Sequence, residues 1–180
     1  LRGRSTQLIE VVRGVEAHLA PDILPEAERR ALRAELDLLK QGSTLPVQLD
    51  PDRSLTVALD VMAHVPADRR YQQGLAWTLL GMALQSTGQH DAAVERLVWW
   101  SESQMDRVDA GSIRGLHGLL FVHGQAGHLT QVESVARTVV DVASRHRLRL
   151  MAGWGHRFLG DVLYERNDLD GAIAQYATAA

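Results

Sequence analysis

The sequence predicts an all-α fold, an α-α superhelix of antiparallel helical hairpins, from three observations. A phrase recurs at fixed spacing: Leu80, Gly81, Leu84, Gly88, Ala93 and Leu97 are matched 39 residues later by Leu119, Leu120, His123, Gly127, Val132 and Ala136. After 40 more residues come Leu159, Gly160, Leu163, Asn167, Ala172 and Tyr176. Self-similarity of this period marks stacked hairpins, which bury their apolar faces only against neighbours. Aromatic residues are 5% of the chain, while Ala, Leu, Val and Arg dominate, a composition that suits helices. Apolar residues also recur at spacings of three and four.

Residues 4–19 place Leu8, Val11, Val12, Val15 and Leu19 on one side of a lone first helix. Pro21 and Pro25 break the chain, and Pro25 suits the first turn of a second helix. Its stripe is Leu32, Leu36 and Leu39; it runs to about Gln41 and is ended by Gly42. The stretch from Ser43 to Asp52, with Pro46 and Pro51, reads as a loop within the first hairpin. Asp52 starts a helix holding Val57, Ala58, Val61, Met62 and Val65, and Pro66 closes it. Helices over 69–87 and 90–106, 110–126 and 130–146, and 150–166 and 169–179 then pair in turn. The single array over 1–180 thus contains hairpins at about 25–66, 69–106, 110–146 and 150–179. Thr130 and Glu133 have the spacing of a capping box, which places a helix start just after the Gly127 turn. Gly81 and Gly160, with Ala93 and Ala172, supply the small side chains that let two helices cross closely, and Leu97 and Tyr176 fill the adjoining space.

Composition excludes several functions. The net charge is -3 and the pI about 6.2, so the chain carries no electrostatic footprint for nucleic acid or an anionic membrane. No apolar run approaches the ~18–20 residues of a membrane span, and no signal peptide is recognisable. A cytoplasmic location is expected. The chain has no cysteine, which removes disulfides and thiolate metal sites. Its lone lysine, Lys40, follows Leu39 and not the glycine a phosphate-binding Walker loop requires. No GxSxG elbow and no HExxH pattern occurs. His117 and His123 lie six residues apart and project to different sides of a helix. No catalytic residue, metal or other cofactor is therefore assigned. Arg145, His146, Arg147 and Arg149 form the one dense basic cluster, at a helix C-terminus where cations offset the dipole. Trp99 and Trp100 are adjacent and point about 100° apart, one into the core between repeats and one toward a surface.

Trp77, Leu80, Gly81, Leu84, Gly88, Ala93 and Leu97 resemble the tetratricopeptide repeat, whose first helix carries an aromatic and a Leu-Gly pair and whose second begins with Ala. The middle copy departs from it, with Leu120 for Gly and His123 for an aromatic, and the period exceeds the usual 34 residues. A narrower resemblance lies at 153–172, where FLGDVLYERNDLDGA is similar to a phrase in the helical sensor region of MalT-like, LuxR-type transcriptional regulators. The opening LRGRSTQLIEVV is similar to the segment preceding their first repeats. That resemblance implies a non-catalytic domain that receives a small-molecule inducer or a regulatory protein and acts on ATPase and DNA-binding domains outside this chain. Some bacterial kinases and other signalling ATPases have the same kind of region. A free-standing scaffold for a peptide or protein partner is the alternative.

Carried over from tetratricopeptide arrays, the first helices of successive hairpins line a concave groove. Thr78, Met82 and Gln85 would face it from one hairpin, His117, Phe121 and Gln125 from the next, and Arg157, Asp161, Tyr164 and Glu165 from the last. Arg157 and Tyr164 would offer anionic and stacking contacts; equally, the face could be solvated, with Arg157 and Asp161 paired at i and i+4. The chain stops within an apolar helix at 177–180, so a fragment of a longer protein is expected, associating with itself through uncapped ends.

Overall fold

Four three-residue turns of one kind do most of the folding back. In Thr87–Gln89, Ala126–His128, His146–Leu148 and Arg166–Asp168 the middle residue has positive φ: Gly88 78°, Gly127 72°, Arg147 57° and Asn167 61°. The N–H of the third residue donates to a carbonyl five positions back, as in Gln89 to Leu84 at 2.9 Å and Asp168 to Leu163 at 2.9 Å. This bond satisfies a carbonyl that the helix end would otherwise leave bare. The computed structural model describes residues 24–44 and 50–180, together with Val11, Gly14 and Val15. It is all helical, without a strand among the described residues. Residues 26–179 form α1 (Glu26–Thr44), α2 (Pro51–His64), α3 (Arg70–Ser86), α4 (His90–Ser103), α5 (Arg114–Gln125), α6 (Leu129–Arg145), α7 (Arg149–Glu165) and α8 (Leu169–Ala179). Each packs on the next, and α1 and α5 also touch α3.

Several boundaries move for identifiable reasons. Helix α1 runs through Gly42 to Thr44; a single glycine costs about 1 kcal/mol in a helix and does not by itself end one. Helix α2 is capped by Asp50, not Asp52: its carboxylate accepts from the Arg53 N–H at 3.1 Å, and Pro51, lacking an N–H, takes the first helical position. The capping box does not form. Thr130 lies inside α6, and Glu133 accepts instead from Arg137 and from Arg166 at 2.6 Å, across to the next turn. Helix α5 starts at Arg114 because Asp109 holds the preceding turn, accepting from the N–H groups of Gly111 (2.9 Å) and Ser112 (3.0 Å) and from Arg70 Nε (2.9 Å). The loop expected between Ser43 and Asp52 falls at 45–49 outside the described residues. So does the first helix, except that Val11, Gly14 and Val15 are helical, with Val11 and Val15 exposed.

Two large clusters form most of the core, and a small third one gathers Leu36 with Leu24 and Leu32. One large cluster centres on Leu38, Val61, Leu79 and Leu97, the other on Ile113, Leu120, Val139 and Val162. Within hairpins the crossings obey a size exchange. A Cβ on Gly81 would collide with Leu97, and one on Gly160 with the Tyr176 ring; in the middle copy the sizes are reversed, Leu120 lying opposite Ala136 in the register, both fully buried. Between hairpins a second small position operates. A Cβ on Gly115 would lie 3.1 Å from the Leu97 carbonyl oxygen, and one on Gly155 3.1 Å from that of Ala136. Adjacent Trp99 and Trp100 divide as expected: Trp100 is buried and stacks on Trp77 (5.6 Å, 18°), whereas Trp99 is largely exposed.

Candidate functional site

The groove opens in one place because consecutive first helices meet in two different ways. Helices α3 and α5 are drawn together by small residues: a Cβ on Gly118 would sit 3.4 Å from Thr78 Cα, and the Thr78 hydroxyl, 3.0 Å from the Gly74 carbonyl, also donates to the Arg114 carbonyl at 2.9 Å. Thr78 and Met82 are consequently buried at 2% exposure each, not placed on a groove wall. Helices α5 and α7 meet instead through rings. His117 and Phe121 from α5 face Trp154 and Phe158 from α7, with centroids 4.6 Å apart for His117–Trp154 and 5.2 Å for Phe121–Phe158. Edge-to-face geometry of this kind is worth about 0.5–1.5 kcal/mol per pair beyond the area buried. It also props the two helices apart.

The result is a cavity of about 620 Å³ between the C-terminal halves of α5 and α7. Phe121, Gln125, Arg157, Asp161 and Glu165 line it, with Phe158 at its base. Besides Thr78 and Met82, three of the ten residues assigned to the groove from the sequence stand elsewhere. Gln85 lies at the end of α3, its side-chain oxygen 2.7 Å from His90 Nδ1. Tyr164 projects outward at 60% exposure. His117 is buried in the wall at 3% exposure.

Charge within the site is unevenly committed. The Arg157 guanidinium lies over the rings of Trp154 (5.0 Å) and Phe158 (5.8 Å) and only 4.0 Å from Asp161, with half its side chain exposed. Asp161 is held more firmly by the Tyr176 hydroxyl, which donates at 2.7 Å from α8. Removal from water and that bond push the Tyr176 pKa up to about 12. Arg157 is thus held in place by aromatic faces while its charge stays open to an anion. A second concavity, of about 760 Å³, begins on its other side between Trp154 and Tyr176.

Behind the rings, His117 has its Nδ1 3.4 Å from an Arg114 donor and its Nε2 buried without a hydrogen-bond partner. Burial, then Arg114 and Arg157, lower its pKa to about 3. The imidazole is therefore neutral, with its proton on Nε2. Arg114 itself lies 4.8 Å from the Tyr71 ring centroid and donates to the Tyr71 hydroxyl.

Compared with protein-family models, with curated proteins and with solved structures, the chain matches none. What the groove presents is an apolar aromatic floor, one arginine and two carboxylates.

Trp154 and Phe158 are absent from the sequence-based groove set. The available signal is that His117 and Phe121 on one first helix, and Trp154 and Phe158 on another, are both ring pairs at i and i+4. A further cluster is also invisible along the chain. His90, at the start of α4, His123, in the last turn of α5, and His128, capping α6, each offer a nitrogen, all within 4.8 Å of one another. Burial, with His90 and His128 beside it, holds the His123 pKa below its ordinary value.

Proposed function

We propose that this chain is a non-catalytic ligand-sensing or protein-interaction domain whose α5–α7 groove takes a flat apolar body bearing an acidic group, either a small molecule or a side chain of a regulatory protein or peptide. The observation that carries this reading is the convergence of Phe121, Gln125, Arg157, Asp161 and Glu165 on one cavity floored by Phe158. An anion reaching Arg157 would meet a guanidinium held over Trp154 and Phe158, so little side-chain freedom is lost on binding. The resemblance of FLGDVLYERNDLDGA to MalT-like, LuxR-type regulators supplies the system: a bacterial, cytoplasmic transcriptional regulator in which binding is passed to ATPase and DNA-binding domains outside this chain. The free-standing scaffold remains the competing assignment. No described helix is long and apolar enough to cross a membrane.

A thermal-shift screen against small carboxylates, nucleotides and acidic peptides tests the groove. A ligand at 100 times its dissociation constant adds about 2.7 kcal/mol of stability, and Arg157→Ala should abolish the shift of any true groove ligand. Shifts that persist in Arg157→Ala would move the site elsewhere. The coding sequence on either side tests the system: a Walker motif upstream and a helix-turn-helix downstream are expected for the regulator.

A further inference from the structure

We propose that His90, His123 and His128 form a binding site for one divalent first-row transition ion of the zinc class. The proposal is independent of the groove's ligand. The three rings come from the ends of two successive hairpins: His90 directly follows the Thr87–Gln89 turn, His123 lies three residues before the Ala126–His128 turn, and His128 ends it. Ring centroids lie 4.8 Å apart for His90–His128, 5.5 Å for His90–His123 and 5.9 Å for His123–His128. One nitrogen from each falls within 4.8 Å of the others. Three imidazoles on a tetrahedral ion, with bonds of about 2.0–2.1 Å, have nitrogens roughly 3.3 Å apart. The exposed His128 side chain has the freedom to swing toward the other two, and His90 is part-exposed.

Two details distinguish the cluster from rings packed for their apolar surface. His123 occupies the position that Leu84 and Leu163 fill in the neighbouring copies, yet it is a polar ring, 9% exposed, whose Nδ1 is buried without a hydrogen-bond partner. A buried ring nitrogen left bare keeps its desolvation penalty, and coordination through that nitrogen would satisfy it. His90 is already oriented as metal-bound histidines are: its Nδ1 faces the Gln85 side-chain oxygen at 2.7 Å, so that Nδ1–H donates to the amide and Nε2 is left free as a ligand. Imidazole donors suit zinc, nickel, cobalt and copper and not magnesium or calcium. Three leave a fourth position for water or a donor from a partner. Because Gly124, Gln125 and Gly127, between His123 and His128 in the chain, line the groove, a bound ion would also clamp its rim.

Titration of the metal-free chain with cobalt(II), followed by its visible absorption, tests the site. One equivalent should give the intense bands of a tetrahedral ion, and zinc should displace it. His90→Ala and His128→Ala, both at positions with solvent access, should each lower affinity by about a hundredfold, and Gln85→Ala by about tenfold, the scale of a lost orienting partner. His146→Ala, on an exposed turn, should change nothing. On the unaltered chain, paramagnetic shifts of the imidazole protons should be confined to three histidines, a readout that requires no variant to fold. Absence of the tetrahedral bands, retention of affinity in both alanine variants, or shifts spread over other histidines would overturn the proposal.

Discussion

His117 is buried among Phe121, Trp154 and Phe158 with two arginines nearby, and its protonation is linked to folding. With a folded pKa of about 3 against an unfolded value near 6.5, the unfolded chain binds the extra proton throughout that interval. The stability this residue allows is therefore complete above the unfolded pKa. It is lost as pH falls toward 3, by about 1.4 kcal/mol per pH unit. His117→Phe should remove that slope: urea midpoints of wild type and variant should diverge increasingly from about pH 6.5 to 4, whereas parallel curves would contradict a buried neutral imidazole. Arg147 makes a separate prediction. It takes the left-handed conformation that Gly88 and Gly127 take elsewhere, at φ 57°, and a side chain there costs about 1–2 kcal/mol. Arg147→Gly should raise stability by up to about 1 kcal/mol, read as a higher denaturation midpoint at an unchanged denaturant slope; a loss of stability would mean that the side chain makes a contact outweighing the strain.

Among elements, the recurring unit is a pair of crossing helices with one large and one small residue at the crossing. Gly81 opposes Leu97 and Gly160 opposes Tyr176, while Leu120 and Ala136 reverse the order. The middle copy, which departs from the tetratricopeptide pattern in sequence, is thus complementary in size. Gly81→Leu should destabilise by about 1–3 kcal/mol or more through overpacking, and Leu97→Ala by about 2–5 kcal/mol through a cavity. Combined, they should recover about 1–3 kcal/mol relative to the sum; strict additivity in equilibrium unfolding would refute the exchange. This level of organisation was legible in the sequence because turns and crossings leave residues at a fixed period. The second small position, Gly115 against the Leu97 carbonyl and Gly155 against that of Ala136, is less legible because it is set by contacts between hairpins and not within them. The capping box failed for a comparable reason: Arg166, a partner from the following hairpin, competes for Glu133.

At the scale of the molecule, the uniform groove expected from the repeat is replaced by a closed seam between α3 and α5 and an open one between α5 and α7. The tetratricopeptide resemblance implied which face each first helix turns inward, and five of the residues so named line one cavity. It could not indicate how far apart successive helices stand, because that depends on Gly118 and Thr78 at one seam and four rings at the other. The histidine cluster was illegible for the same reason, its members being brought together only by stacking. Helix α8 leaves Leu169 and Ile173 on the surface, an apolar pair through which self-association should run. Light scattering should show mass rising with concentration in wild type but not in Ile173→Glu, and a wild-type mass constant over the whole range would contradict it. Whether the α5–α7 groove binds an apolar body with an acidic end is read from amide chemical-shift mapping with a series of small aromatic carboxylates. Saturable shifts centred on Phe121, Gln125, Arg157, Phe158 and Asp161 are expected, and they should disappear in Arg157→Ala. Shifts scattered over the surface, or unchanged in that variant, would contradict such binding.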